Sequence, residues 1–323
     1  MSAPLRLGVI GLGMMGRHHA RIARTIDDVE FVGGADPAGD THRALGGAPV
    51  FSEVDGLLAA GVDAVVVSTP SHIHEEIAVH LAGRGVHTLI EKPLSDTLES
   101  AIRIRDAFAG TGLVAAVGHV ERFNPAMQSL KRRLEANELG SVISISTRRV
   151  GPNPGRVRDV GVVKDLATHD IDLVLWLGGS IDSMWCQLAR PLGRVHEDLL
   201  EAIGQLRSGV IMSLSVNWVT PTKERSVKVL GERGALVADL LTADLTFFSN
   251  ADVAVEWEAI ARIKGVSEGD MIRYALHKPE PLQAELAAFC GAVRGLQGSD
   301  LATLDQGVEV IRTAELLLEM GRR

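Results

Sequence analysis

The chain has 323 residues, of which 46% are hydrophobic and 23% charged, and its formal net charge is −8. This composition is typical of a globular protein and excludes a disordered chain. The negative charge argues against nucleic acid as a partner, because phosphate attraction needs a basic face.

Cysteine usage and hydropathy narrow the protein class further. The only two cysteines, Cys186 and Cys290, cannot make a disulfide framework or a cysteine metal site, which is typical of a reducing compartment. The sequence has no run of about 18 apolar residues and no signal-peptide pattern at its start. We therefore expect a cytoplasmic protein with no membrane partner.

The first third of the chain alternates short apolar runs with amphipathic segments. The apolar runs predict strands over Leu5–Ile10, Val29–Ala35, Asp63–Ser68, Val86–Ile90 and Leu113–Val117. The intervening segments predict helices over His18–Thr25, Val54–Ala60, Ile73–Ala82 and Glu99–Phe108. This alternation indicates a parallel sheet covered by helices on both faces, and we place the end of this first domain near residue 120.

Residues 121–323 have a different pattern and predict a second α/β domain. Long runs with partial alternation predict strands over Ser141–Val150, Ser183–Arg190, Leu199–Arg207, Val210–Val219 and Ser226–Leu230. Helical periodicity occurs over Pro125–Ala136, Asp165–Leu177, Leu282–Arg294 and Asp305–Met320. Strands that follow one another favour a large antiparallel or mixed sheet. Two alternatives stay open for the last helix, which packs either within the second domain or back on the first.

A glycine-rich loop follows the first predicted strand and opens the first predicted helix. It reads Gly11-Leu12-Gly13-Met14-Met15-Gly16. The first glycine permits a tight turn, the second lets backbone approach a pyrophosphate, and the third allows close helix packing. The helix N-terminus adds N–H groups that attract phosphate. This context predicts a doubly wound dinucleotide-binding (Rossmann) domain, with a ligand-free glycine turn as the alternative.

Asp36 stands at the end of the second predicted strand and selects the cofactor. A carboxylate at this point accepts hydrogen bonds from the adenine ribose hydroxyls and repels a 2′-phosphate. No arginine follows directly, since the sequence continues Pro37-Ala38-Gly39, and this favours NAD over NADP. Arg43 is the residue that could reverse this preference, and a solvated turn aspartate is the alternative.

Three further motifs resemble the glucose–fructose oxidoreductase/inositol dehydrogenase family (Gfo/Idh/MocA). Ser68-Thr69-Pro70 with His74 matches the pattern "TPxxxH", and Glu91-Lys92-Pro93 matches "EKP". An aspartate and a histidine four apart, Asp165 and His169, match the third element. The resemblance covers essentially the whole chain. It implies that Ser68, Thr69, Pro70, His74, Glu91 and Lys92 contact the cofactor, and that the second domain carries an open sheet used for oligomerisation.

A finer resemblance is to the UDP-N-acetylglucosamine 3-dehydrogenases of this family. It rests on the stretches 117–125, 149–152, 156–163, 165–172 and 280–286. It implies that Arg122 and Asn124 lie near the sugar. Lys164 departs from the pattern, which has an apolar residue directly before the aspartate.

Oxidising a sugar alcohol removes a hydride and a proton, and the second requires a base. His169 is the candidate base because imidazole titrates near neutral pH. Asp165 lies one helical turn away and could orient His169 or bind the substrate, or it could cap the helix N-terminus. Lys92 follows a strand at the carboxyl edge of the sheet, where its ammonium can hydrogen-bond the reacting oxygen.

Arginines in a glycine- and proline-rich loop before the catalytic helix are candidates for the substrate diphosphate. Arg149, Arg156 and Arg158 have the forked donors that suit phosphate oxygens, and a solvated basic loop is the alternative. We find no pattern of metal ligands, so no metal site is predicted.

The sequence therefore predicts an NAD-dependent oxidoreductase acting on CH–OH groups. The favoured substrate is a nucleotide sugar, oxidised at C3 of UDP-N-acetylglucosamine or a related compound. The alternatives are a myo-inositol or free-sugar dehydrogenase, a 3-ketosugar reductase and an NAD-binding sensor without activity. The resemblance implies a homo-oligomer, either a dimer or a tetramer.

Overall fold

The structure is a computed structural model that describes residues 3–155, 157, 160–251, 268–296, 298 and 300–321. The chain divides into two compact units. The first comprises Met1–Phe123 and Pro279–Leu316, and the second comprises Asn124–Lys278 and Leu317–Arg323. Each unit contains its own sheet.

The first unit contains a seven-stranded sheet within the described residues. Its strands are β1 (Leu5–Ile10), β2 (Val29–Ala35), β3 (Val50–Phe51), β4 (Ala64–Val67), β5 (His87–Glu91), β6 (Ala115–Gly118) and β15 (Ala302–Thr303). They are ordered β3-β2-β1-β4-β5-β6-β15. All neighbours pair in parallel except β15, which pairs antiparallel with β6. This is the strand order of a Rossmann domain, and the parallel-sheet prediction is confirmed.

Helices cover this sheet because its strands are apolar on both faces. The helices are α1 (Gly16–Ala23), α2 (Val54–Ala59), α3 (His74–Gly83), α4 (Leu98–Phe108) and α7 (Pro281–Val293), with most of α8 (Leu304–Met320). Strand β4 reads Ala-Val-Val-Val and is buried throughout. A continuous β-branched run of this kind is typical of a central parallel strand.

A segment from the end of the chain completes the first unit. Leu286 and Phe289 of α7 are fully buried in one core cluster with Leu7 and Val9 of β1. The sequence analysis divided the chain near residue 120, whereas the structure divides it after Phe123 and returns Pro279–Leu316 to the first unit. The reason is the apolar face of α7, which is buried in that core.

The second unit contains an eight-stranded sheet within the described residues. Its strands are β7 (Val142–Pro152), β8 (Ile181–Ala189), β9 (Leu199–Leu206), β10 (Ile211–Asn217), β11 (Val219–Gly231), β12 (Gly234–Asp239), β13 (Asp244–Ser249) and β14 (Met271–Arg273). The order is β14-β13-β12-β11-β7-β10-β9-β8, and only β7 and β10 pair in parallel. The prediction of a large, mostly antiparallel sheet is confirmed.

Helices α5 (Pro125–Glu135) and α6 (Thr168–Gly178) pack on one face of this sheet. In the described part of the chain, the other face is open and exposes large apolar side chains, including Trp185, Ile203 and Ile211. Exposed apolar patches commonly mark association surfaces, which agrees with the predicted homo-oligomer. The oligomeric state itself stays a prediction. Within the described ranges, no helix combines the length and the apolar character that crossing a membrane requires.

Candidate active site

The glycine loop lies where the order of the first sheet reverses, between β1 and β4. Gly11 has φ +83°, and its N–H donates to the Ala35 carbonyl at 2.8 Å. A β-carbon at Gly16 would lie 1.8 Å from the Gly11 carbonyl oxygen, so helix α1 packs directly on the turn. At Gly13 a β-carbon would meet nothing within 4 Å. The outer glycines are thus required by packing, whereas Gly13 leaves open space for a ligand.

The side chains of the remaining loop residues point in different directions. Leu12 is buried in the core, and Met14 is half exposed. Met15 is partly buried against the core of the first unit and precedes α1. Their predicted cofactor contacts are therefore contacts of the loop backbone, which stay predictions.

Asp36 fixes the glycine loop through its carboxylate. Its Oδ2 accepts the Leu12 N–H at 2.7 Å, and its Oδ1 accepts the Ala38 N–H at 2.8 Å. Each carboxylate oxygen has two lone pairs, so both oxygens can also accept from ribose hydroxyls. The sequence analysis assigned Asp36 the ribose alone, and the bond to Leu12 gives it a second role in shaping the loop.

A cavity of about 790 Å³ opens beside the glycine loop, within the first unit. Gly11, Gly13, Asp36, Ser68, Thr69 and Pro70 line it together with segment 52–55 and with Ile73, Glu76, Ile77 and His80. Its charged lining side chains are Asp36, Glu53, Asp55 and Glu76, with His80 at the rim. This volume is in the range of cofactor pockets. The acidic wall disfavours a 2′-phosphate, and Arg43 is not among the lining residues.

Ser68 and Thr69 place two hydroxyls at the end of β4. The Ser68 hydroxyl donates to the Gly11 carbonyl at 2.8 Å, which ties the two loops together. The Thr69 Oγ1 is buried and has no hydrogen-bond partner among the described residues. A buried hydroxyl beside a cavity needs a partner, and a cofactor oxygen would supply it. The open side of Gly13 and the Thr69 hydroxyl therefore both fit a bound dinucleotide.

His74 lies at the start of α3 and is buried. Its Nε2 is 2.9 Å from the Thr69 carbonyl oxygen, and its Nδ1 is 3.2 Å from the Leu94 carbonyl oxygen. Burial lowers the pKa of His74 below its ordinary value. The imidazole thus joins the cavity wall to the segment after Pro93, and a positioning role accounts for it better than the predicted direct cofactor contact.

Glu91 and Lys92 follow β5 at the same edge of the sheet. Glu91 is buried, and its Oε1 lies 2.7 Å from His19 Nε2 of helix α1. Burial alone would raise the pKa of Glu91, but the His19 hydrogen bond and the charges of His19 and Lys92 outweigh it and hold this pKa below its usual value. Lys92 is half-buried, and its bond to Pro93 is cis. The sequence analysis gave His19 no role, because nothing near it in the chain indicates this pair.

Asp165 and His169 lie in the second unit, at the start of a buried helix. A π-helical turn over Val163–Ala167 contains Asp165 and continues into α6, whose second residue is His169. Both side chains are half-buried. The alternative that Asp165 caps the helix is wrong, since the helical stretch begins two residues before it. Single π turns are frequent at functional sites.

Glu197 holds the start of that π turn. Its buried carboxylate accepts the Val163 N–H at 3.1 Å, and its carbonyl accepts the Val162 N–H at 3.1 Å. A β-carbon at Gly161 would lie 2.1 Å from Glu197 Oε1, so any larger residue there would displace this carboxylate. The sequence analysis missed Glu197, which is far along the chain from the turn it supports.

Arg149 is almost fully buried and forms an ion pair with Asp170 of α6. Arg149 Nε donates to Asp170 Oδ2 at 2.8 Å, and the two side chains are 2% and 1% exposed. The pair connects β7 to the residue directly after His169. This contact assigns the Nε of Arg149 to the helix, whereas the sequence analysis assigned this arginine to the substrate diphosphate.

A small recess of about 230 Å³ opens beside Asp165, within the second unit. Besides Asp165, its lining includes the basic side chains Arg149, Lys223 and Arg225 and the indole of Trp218. Arg225 pairs directly with Arg149 across β11 and β7, so both arginines lie on the same face of the sheet. We call this the basic recess. Lys223 and Arg225 were missed from the sequence because they lie on a strand without a motif.

Arg156 and Arg158 lie outside the described residues, so their predicted phosphate contact stays a prediction. Of the described residues nearby in the chain, Val157 and Val160 accept hydrogen bonds through their carbonyls from Arg194 Nη2 at 2.7 and 3.3 Å. Arg194 also pairs with the buried Asp198. This guanidinium therefore binds the backbone at Val157 and Val160, a role that the sequence did not indicate.

Arg122 and Asn124 are both buried, which is at odds with the predicted contact to the sugar. Arg122 is 2% exposed, and its Nη1 donates to the Gln306 Oε1 at 3.0 Å. Asn124 caps α5 by accepting the Ala126 N–H and donates to the Leu240 carbonyl. These contacts serve packing and helix capping, and the predicted contact of both residues to the sugar stays a prediction. No three His, Cys, Asp or Glu side chains of the described part of the chain are grouped as metal ligands would be.

Comparison with known proteins identifies the class. Residues 5–119 match the family model described as "Oxidoreductase family, NAD-binding Rossmann fold", and residues 127–237 match the GFO/IDH/MocA C-terminal domain. A curated relative, scyllo-inositol 2-dehydrogenase (NAD(+)) of Bacillus subtilis, is 31% identical over 254 residues, covering 73% of this chain and 74% of its own. The chain therefore belongs to the Gfo/Idh/MocA family and is an NAD-dependent oxidoreductase.

Other similar proteins have names that specify sugar or nucleotide-sugar chemistry. UDP-N-acetylglucosamine 3-dehydrogenase of Acidithiobacillus ferrooxidans is 29% identical over 293 residues, covering 90% of this chain and 88% of its own. A solved structure of that enzyme superimposes with a TM-score of 0.85 at 26% identity, covering 99% of this chain and 98% of the other. Levoglucosan dehydrogenase in complex with NADH shares the fold with a TM-score of 0.82 at 19% identity, covering 99% of this chain and 97% of its own.

Proposed function

We propose that the protein oxidises a secondary hydroxyl of a nucleotide sugar to a ketone. The proposed position is the hydroxyl at C3 of UDP-N-acetylglucosamine or of a closely related nucleotide sugar. The observation that carries the proposal is the basic recess beside Asp165. A nucleotide sugar differs from a free sugar or an inositol by its diphosphate, and guanidinium forks suit phosphate oxygens. The relative from Acidithiobacillus ferrooxidans, similar over 90% of this chain, supports the same substrate class.

We assign the chemistry to Lys92, Asp165 and His169. NAD, when bound, supplies the acceptor for the hydride that leaves the carbinol carbon. His169 takes the proton of the substrate hydroxyl at an imidazole nitrogen. The Lys92 ammonium donates a hydrogen bond to that oxygen and lowers the cost of its developing negative charge. Asp165, in the π turn that precedes His169, orients the imidazole or binds the sugar.

In the basic recess we assign the diphosphate to Arg225 and Lys223. Arg149 lines the same recess, but its charge faces Asp170 at 2.8 Å, so it offers less net attraction to an anion. Arg225 and the exposed Lys223 are the other two basic side chains that line the recess. The expected ligand is therefore a diphosphate whose charge these two side chains share.

The first test of the function is NADH formation by the purified protein with NAD and a panel of UDP-N-acetylglucosamine, UDP-glucose and myo-inositol. Turnover with the UDP-N-acetyl sugar alone, inhibited by UDP, is the expected result. Turnover with myo-inositol and no inhibition by UDP would replace the nucleotide sugar with a polyol. NAD binding without turnover of any sugar or ketosugar, in either direction, would support the sensor alternative.

Replacing Arg225 with alanine should raise the KM for the nucleotide sugar by about tenfold or more, because charge-assisted hydrogen bonds contribute roughly 1.5–3 kcal/mol each. The KM for NAD should be unchanged, since the cofactor cavity lies in the first unit. Steady-state kinetics with each substrate varied in turn gives both values.

The matched control is Arg148→Ala, one residue from Arg149 on the same strand. The Arg148 side chain is exposed on the open sheet face and pairs with Glu224. We expect wild-type kinetics from this control. Equal KM values in the Arg225 and Arg148 variants would remove the basic recess from the substrate site.

A further inference from the structure

Helix α1 and the end of β5 are joined by a buried hydrogen bond between an imidazole and a carboxylate, which the chemistry assigned above does not use. His19 Nε2 lies 2.7 Å from Glu91 Oε1, and the two side chains are 0% and 9% exposed. The partners are 72 residues apart in the sequence. The contact therefore depends on the tertiary fold and not on local structure.

Stability alone does not account for a buried pair of polar side chains at this place. Removing both groups from water costs free energy that their attraction only partly offsets, and apolar side chains of similar volume would often stabilise the fold as well. His19 is moreover incompletely satisfied, because its Nδ1 has no hydrogen-bond partner among the described residues. An arrangement that is costly for folding and lies next to Lys92 indicates a task in the site.

The second oxygen of the same carboxylate shows what this task is. Glu91 Oε2 accepts the backbone N–H of Lys92 at 3.2 Å. One carboxylate thus binds the imidazole through Oε1 and the Lys92 amide through Oε2. If the His19 bond is lost, the carboxylate is free to rotate, and the backbone from which the Lys92 side chain extends loses its support.

We infer that His19 is a positioning residue for Lys92, acting through Glu91. Helix α1 begins at Gly16, so the helix that follows the glycine loop also carries the imidazole that holds Glu91. Lys92 is thereby fixed relative to the loop assigned to the cofactor phosphates. The inference rests on the proposed catalytic role of Lys92.

The decisive experiment compares His19→Gln with His19→Asn. The Gln amide nitrogen reaches the place of the imidazole Nε2 and can donate to Glu91, whereas the Asn amide is one methylene too short. We expect His19→Asn to lower kcat by about 10- to 100-fold, the scale of a misplacement of about 1 Å, with little change in either KM. We expect His19→Gln to restore most of that loss. A role in packing alone would not separate two amides of similar polarity in this way.

Glu91→Asp tests the same contact from the other side. It keeps the charge but shortens the reach of the carboxylate, so it should lower kcat as His19→Asn does, and it also serves if His19→Asn does not fold. His18→Asn is the matched control, one residue away on the same helix and only half-buried, and it should be normal. Where Lys92→Met lowers kcat, equal kcat values for the Gln and Asn variants of His19, or a normal kcat for Glu91→Asp, would overturn the inference.

A readout without substrate separates this inference from the proposed function. An amine-reactive reagent labels Lys92 in the cofactor-free protein, and Lys131 serves as the internal reference. The labelling rate of Lys92 should differ from the wild-type rate in His19→Asn and should be close to it in His19→Gln. An unchanged rate in both variants would overturn the inference whatever the activity. Two results together would separate the proposals: a normal kcat in Lys92→Met, and a Lys92 labelling rate that changes when His19 is substituted. In that case the assigned mechanism fails and the positioning contact stands.

Discussion

Lys92→Met is expected to lower kcat by about 10² or more, the scale that follows loss of a group that stabilises a developing oxyanion. Methionine keeps the length and the apolar stem of the side chain but removes the ammonium. Lys92 is half-buried at the carboxyl end of β5, so the substitution fills the same space. The KM for NAD should change little, because the residues that line the cofactor cavity are untouched. Steady-state NADH formation gives kcat and KM, and thermal unfolding verifies the fold.

The control for this substitution is Lys228→Met, which removes an ammonium from an exposed position on strand β11 of the second unit. It should leave kcat at the wild-type value. If the Lys92 variant kept a near-normal kcat, the lysine would have no part in proton or charge transfer, and the whole assignment of the chemistry would be lost with it.

The first domain could be predicted closely from the sequence because its signals are local. The strands Leu5–Ile10 and Val29–Ala35 have the predicted bounds. Each is an apolar run that ends in a glycine turn or in Asp36. Strands of two residues, such as Val50–Phe51 and Ala302–Thr303, were missed, since they are too short to show a period.

The candidate site was predictable where a motif fixes residue type and backbone together. It was not predictable where a tertiary partner decides the role. Arg122 follows a glutamate, a context that is typical of an exposed residue. In the structure it is buried and donates to Gln306, which is 184 residues away in the chain. Arg149 resembles a free phosphate ligand in sequence, but Asp170 pairs with it. Burial gives both arginines structural contacts that the sequence does not indicate, and their predicted substrate contacts stay predictions.

The structure changes the predicted geometry of Asp165 and His169, because a π turn replaces the expected α-helical turn. Four residues make about one turn of an α-helix, and the sequence analysis placed both side chains on one face on that basis. The π turn closes i to i+5 hydrogen bonds, so four residues there fall short of a full turn. Asp165 is thus rotated relative to the α-helical position, and its carboxylate lines the basic recess. Periodicity cannot reveal such a turn because its apolar pattern differs little from that of a helix.

Two substitutions in the glycine loop separate what the loop does for the fold from what it does for the cofactor. Gly16→Ala places a methyl group 1.8 Å from the Gly11 carbonyl oxygen, a backbone atom that cannot move away without shifting α1. Overpacking of this kind costs about 1–3 kcal/mol or more, so both the melting temperature and NAD affinity should fall. Gly13→Ala meets nothing within 4 Å, so the melting temperature should stay at the wild-type value. The methyl group would instead occupy the space assigned to the pyrophosphate, and the Kd for NAD should rise by about tenfold or more.

Gly83→Ala is the matched control for both glycine variants, because it also meets nothing within 4 Å and lies at the end of α3, outside the residues that line the cavity. The melting temperature of Gly83→Ala should equal or exceed that of the wild type. Its Kd for NAD, measured by displacement of fluorescent NADH, should match the wild-type value. A Gly13 variant that bound NAD as tightly as Gly83→Ala would show that the open side of the loop does not face the pyrophosphate. A Gly16 variant with normal melting would contradict the close packing of α1 on the turn. The two outcomes are independent, because one glycine is excluded by protein atoms and the other only by a ligand.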